Sequence, residues 1–320
     1  MTGRDAGAWA GMDYLGWRDH ADVKRRLDAG ADPERWAGGS SRPLHRAAVF
    51  GSPEVVAELA RRVADVDALE GGTTALWEAV VAGRSENARV LAAAGADLGW
   101  TGHGGWTPGR LSLAGPEPGL PGVQTAGLTE AERAVADEGR RLIAALGDIY
   151  YEGLGLACVA GIDAEEAIRR LEATPADAEL MAGVLEDPYD YDMDETLRLV
   201  GVTTVPGGCV VTQPWGYGPA RSGILTRLSA GTVCYGLYAN PKSGNQGSIH
   251  RDGVCEGSDL HPGGDPDVDD GPEEVLFSYV YCNQAVAYSL AYAGLRPTDA
   301  RAILGPPDHW VELPDFGATP

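Results

Sequence analysis

A repeat with a period of 32 to 33 residues constrains the first third of the 320-residue chain more than any other feature. The segment RPLHRAAVFG at 42–51 returns as TALWEAVVAG at 74–83, with Leu44 and Leu76 at matching positions. A second pattern occurs three times: RRLDAGAD at 25–32, ARRVADVD at 60–67 and VLAAAGAD at 90–97. A fourth start, GGWTPGRLSLAG, lies at 104–115. Pro43 fits the first position of a helix, and Leu44, Ala47 and Ala48 make a narrow apolar face. Gly51, Ser52 and Pro53 end that helix and start another, with Val55, Val56 and Leu59 facing inward. A pair of this size cannot bury its own apolar face, so the pairs must stack.

These residues resemble the ankyrin repeat. PLHRAA at 43–48 and the GAD triplets at 30–32 and 95–97 carry the match. Arg42 stands where that family has Thr, and Trp77 where it has His. The resemblance implies an all-α solenoid of about three repeats plus a partial one over residues 1–107. Terminal repeats that cap a stack are expected to be atypical, and residues 6–17 supply a degenerate first helix. The resemblance implies a protein-binding face at the outward positions Trp36, Arg46, Phe50, Glu70, Glu78, His103 and Trp106. Trp, Arg and Phe at such positions suit an interface; the same aromatics could instead cover the flanking domain. His45 is expected to hydrogen-bond the backbone of its own hairpin, and Trp77 to fill the equivalent space by packing.

Residues 108–127 hold four Pro and five Gly without periodicity and are expected to be a linker. Beyond it, 128–320 is expected to be an α+β domain with an antiparallel sheet. Thr129 suits a helix N-cap, followed by an apolar face of Val135, Leu142, Ile143 and Leu146. Strands are expected at 155–161, 208–215, 232–240 and 248–257, with a hairpin turn at Arg251, Asp252 and Gly253. Helices are expected at 164–173, at 224–228, as one long run over 273–294, and at 299–304 capped by Thr298. Residues 174–195 read as an acidic loop. CVAGIDAEEAIRRL at 158–171, LTRLSAGTVCYGLYAN at 225–240, RDG at 251–253 and GLRPTDARAI at 294–303 resemble an uncharacterised actinobacterial domain family. That likeness implies no activity.

The net charge of −22 is unevenly distributed. Residues 1–116 hold 13 Lys and Arg against 15 Asp and Glu, while 117–320 hold 12 against 32. Neither part offers the basic footprint that phosphate neutralisation needs, which argues against a nucleic-acid partner. The acidic half is a solvated surface or an attraction for a basic partner. No apolar run is long enough for a membrane span. The amino terminus lacks the apolar core of a secretory signal, so a cytoplasmic protein with free thiols is expected. Lys24 and Lys242 are the only lysines among many Arg, Ala and Gly, a composition that suggests a bacterial source.

No constellation for catalysis or for a cofactor stands out. Asp190, Asp192 and Asp194 alternate like a calcium loop, but Glu195 and Gly201 occupy the positions that need Gly and Glu. A second run, at Asp265, Asp267 and Asp269, fails at Asp270 and Leu276. His250, His261 and His309 lack ligand spacing. Cys158 sits in a strand before a helix without an evident base, and WGYG at 215–218 reads as a structural turn. The expectation is a non-enzymatic protein-interaction module without cofactor or metal. The alternatives are an immunity or antitoxin-like protein that neutralises a basic effector, and an enzyme with its site in the second domain.

Overall fold

The computed structural model describes residues 8–35, 42–117, 119–123, 127–242 and 244–315. Among these residues the chain forms fourteen α-helices and one eight-stranded antiparallel sheet, an α+β composition. It divides into two compact units. The first comprises Met1–Ala136 and Asp265–Cys282; the second comprises Asp137–Gly264 and Asn283–Pro320.

The first unit holds α1 (His20–Asp28), the pair α2 (Pro43–Phe50) and α3 (Pro53–Ala60), and the pair α4 (Ala75–Val81) and α5 (Ser85–Ala93). The short α6 (Pro108–Ser112) follows, and then the start of α7 (Glu130–Leu146), whose length the division interrupts after Ala136. Helix starts are capped by side-chain oxygens that accept otherwise orphaned amides. Asp19 and Ser52 cap α1 and α3, and Thr74 and Thr107 cap α4 and α6. Pro43, Pro53 and Pro108 occupy first positions, where a missing N–H costs nothing.

The repeat in sequence is a repeat in backbone geometry. Gly30 and Gly95 both have φ +96°, a region open to glycine. Beside them Ala31 N donates to Arg26 O at 3.0 Å and Ala96 N to Leu91 O at 3.1 Å. The carboxylates of Asp32, Asp65 and Asp97 each accept from the amide two residues on, at 2.8, 3.0 and 2.8 Å. Successive turns are also tied to each other: Ala64 N donates to Glu34 Oε1 at 2.6 Å and Asp97 N to Asp67 Oδ1 at 2.9 Å. Beneath the turns, Val55, Val56, Leu59, Leu76 and Leu91 are fully buried. Each such side chain contributes about 1.5–3 kcal/mol of hydrophobic stabilisation.

The expected linker at 108–127 is in part core. Residues 108–112 are helical, Leu111 is fully buried and Leu120 is nearly so. Ser112 Oγ accepts from Leu120 N at 3.1 Å, which folds the segment back on itself. The unit is completed by α12 (Pro272–Val280), whose Val275 and Leu276 enter the same hydrophobic cluster. A boundary near 127 therefore does not divide the chain cleanly, because 265–282 belongs with the helix pairs.

The second unit begins with the end of α7 and runs through β1 (Leu154–Ala160), α8 (Ala164–Arg170), β2 (Thr174–Pro175), α9 (Ala178–Glu186) and α10 (Met193–Thr196). It continues with β3 (Leu199–Val205), β4 (Gly208–Gln213), α11 (Ser222–Leu228), β5 (Val233–Asn240), β6 (Gly244–Arg251) and β7 (Val254–Leu260). After the segment belonging to the first unit come α13 (Ala285–Tyr292), α14 (Arg301–Leu304) and β8 (His309–Glu312). The strand order is β2-β8-β3-β4-β1-β5-β6-β7. On one face Ala157, Val159, Val200, Val202, Cys209 and Val211 pack with α8 and α11. On the other, Tyr235 meets Tyr288 and Tyr292 of α13 at ring distances of 5.9 and 5.0 Å.

Asp252 (φ +49°) and Gly253 (φ +77°) form the turn expected between β6 and β7. Three expectations are corrected. The acidic stretch 174–195 carries α9 and α10, started by the side chains of Asp177 and Asp192. Strands β3 and β8 arise where none was expected. The run 273–294 is two helices, not one, broken at Asn283 with φ +60°.

Candidate functional site

The outward positions expected in the first unit separate into different environments. Trp36 lies outside the described residues. Arg46 is exposed on α2, and Phe50 is half-buried against the core. Glu70 accepts from Arg42 N and pairs its backbone with Thr73 at 3.0 Å in both directions. Glu78 Oε1 accepts from Thr73 Oγ1 at 2.6 Å. Both carboxylates therefore brace the hairpin between helix pairs.

His45 belongs to the same network: its Nε2 lies 3.1 Å from Thr73 O, so that nitrogen carries the proton. The partner is the next hairpin along the chain, not its own. Burial lowers the pKa of His45 below its ordinary value, partly offset by that bond and by Glu70 and Glu78. His103 is half-buried with its ring 5.3 Å from that of Trp77, itself buried as expected.

Trp106 is not outward. It is 1 % exposed, its Nε1 donates to Pro272 O at 2.8 Å, and the Arg110 guanidinium lies 4.3 Å from its ring centre. Its position in the repeat would face a further helix pair or solvent; here α12 takes that place.

Among the described residues, no group of three His, Cys, Asp or Glu side chains could hold a metal ion. Cys158, Cys209 and Cys234 are buried in the sheet. Burial pushes the Cys209 thiol up to about 12 and raises those of Cys158 and Cys234 as well, so these sulfurs are protonated and unreactive.

The second unit contains a cleft that sequence reasoning did not anticipate. It has two lobes, each of about 510 Å³. Tyr150, Tyr189, Met193 and Trp215 line the first, with Glu152, Asn240 and Lys242 around them. Ser222, Gln246, Ser248, His250, Cys255 and Asp259 line the second. Tyr217 and Tyr238 line both, edge to face with centroids 5.8 Å apart.

The WGYG turn at 215–218 forms part of the wall. Gln213, fully buried at the end of β4, holds it: Nε2 donates to Thr196 O at 2.9 Å and Leu199 O at 2.8 Å, while Oε1 accepts from Gly218 N at 2.9 Å. Trp215 stacks on Trp310 at 5.8 Å and donates to Thr196 O at 3.3 Å. Gly155 of β1 lets the turn approach, since a Cβ there would sit 2.5 Å from Gly216 O.

In the second lobe His250 is 1 % exposed, with Nδ1 3.4 Å from Thr226 Oγ1. Burial lowers its pKa, so the ring is neutral at pH 7. Cys255 stands opposite it in the β6–β7 register, and its thiol is turned to Gly257 O at 3.5 Å. No local pattern links residues 150, 189, 217 and 238, which explains why the cleft was illegible beforehand.

No protein-family model matches the chain, and no curated protein matches it. No helix among the described residues is long and apolar enough to cross a membrane.

Proposed function

We propose that the first unit is an ankyrin-type scaffold and that the chain acts as a non-enzymatic protein-interaction module, capturing a protein partner in the bacterial cytoplasm. The observation that carries this reading is the recurrence of the same turn at Asp32, Asp65 and Asp97, each with its carboxylate on the amide two residues on. Repetition of this kind aligns turns and first helices in a row, which suits a protein contact better than a small-molecule pocket. Arg46 and Leu69, the latter 52 % exposed beside the Glu70 hairpin, are the contacts this reading selects.

The test is capture of partners from a lysate by the full chain and by an Arg46→Ala, Leu69→Asp double variant. The variant should lose a partner that the wild type retains, with an unchanged melting temperature. Equal capture by both proteins would sink the reading.

A further inference from the structure

The two-lobed cleft of the sheet unit combines two features. The first is apolar exposure: Tyr150, Tyr189 and Met193 are 81, 72 and 64 % exposed, and all three line one lobe. Large apolar side chains left in water at one place mark an interaction surface. The second is charge. The stretch that supplies Tyr189 and Met193 holds nine Asp and Glu between Arg170 and Arg198 without a Lys or Arg. Among the described residues, Lys242 is the sole Lys or Arg lining either lobe. His250 lines the second lobe.

We propose that this cleft binds a basic peptide segment, with a Lys or Arg side chain entering the aromatic lobe and the peptide running on past Tyr217 and Tyr238 towards His250. Tyrosine and tryptophan faces attract a cation through the ring quadrupole, and more strongly when water is excluded. Glu152 adds a carboxylate within the lobe. An anionic ligand would meet the carboxylates of the wall with one ammonium group to offset them. The two lobes, joined through a shared tyrosine wall, fit an extended ligand better than a single small cation. This inference concerns the sheet unit and is independent of the proposed role of the helix pairs.

Fluorescence anisotropy of labelled hepta-arginine against the full chain tests it, with hepta-glutamate and free arginine as comparisons. Hepta-arginine should bind saturably, one to one. A Tyr150→Ala, Tyr189→Ala double variant should weaken it about tenfold, since two cation–ring contacts are removed from exposed positions. Lys242→Met should tighten binding, because the opposing charge is gone. Three outcomes overturn the proposal: hepta-glutamate binding as tightly, Lys242→Met weakening hepta-arginine, or the double variant binding like wild type, which would reduce the attraction to diffuse charge. Displacement by free arginine at the peptide's own concentration would replace the peptide by a small cation. Unchanged melting temperatures of the variants keep the comparison on binding.

Discussion

The indole nitrogen of Trp106 donates to the carbonyl of Pro272 at 2.8 Å, joining residues 166 positions apart within the first unit. This hydrogen bond fixes the start of α12 beside the last of the repeated helix starts. Trp106→Ala should cost about 3–5 kcal/mol, the usual range for a buried large aromatic. Trp106→Phe, which keeps most of the packing but leaves Pro272 O without its donor, should cost about 1–3 kcal/mol. Chemical denaturation of the two variants checks both values. A neutral Trp106→Ala would mean that α12 does not depend on this contact.

Asn87 deserves a parallel test. Its buried Nδ2 lies 3.3, 3.0 and 3.1 Å from the carbonyls of Ala47, Ala48 and Gly51, so a single amide serves the end of α2. Asn87→Leu, similar in size, should lower stability by about 1–3 kcal/mol, the cost of buried acceptors left unpaired. Equal denaturation midpoints would show that water reaches those carbonyls.

The pH dependence of the first unit should carry a contribution from His45. Burial holds its folded pKa below the ordinary 6.5, so the folded state resists protonation that the unfolded chain accepts. The contribution is complete above about pH 6.5 and is lost as pH falls towards the folded value. Melting temperature followed from pH 7.5 to 5 should therefore fall less steeply in His45→Gln than in wild type, although the variant starts lower. Parallel slopes would remove His45 from the account.

Gly155 links the sheet to the cleft. Because a Cβ at that position would approach Gly216 O to 2.5 Å, Gly155→Ala should displace the WGYG turn. The expected result is lower stability together with an altered near-ultraviolet circular dichroism signal from Trp215 and its neighbours. An unaltered spectrum with native stability would mean that the turn yields freely.

The helix pairs were legible because their period is local: capping residues, first-position prolines and the Gly30 and Gly95 turns all lie within one repeat. The Asp252–Gly253 turn was legible for the same reason. What escaped was long-range. The position of Trp106 in its repeat says outward, and only the return of residues 265–282, some 160 positions later, makes it core. The apolar run 273–294 gives no sign that its halves, separated at Asn283, belong to different units. The cleft draws its tyrosines from four separate segments, none with a pattern of its own.

The two-piece composition of the first unit sets an order on synthesis. A ribosome that has made residues 1–136 has delivered the stacked helix pairs but not Val275 and Leu276, which complete their cluster. The entire stretch from Asp137 to Gly264 must emerge before those residues do. Until then the apolar seat around Trp106 faces water, open to a chaperone or to a neighbouring nascent chain. A protein cut after residue 127 would keep that seat open permanently, so the smallest self-sufficient form of this unit is not a contiguous fragment.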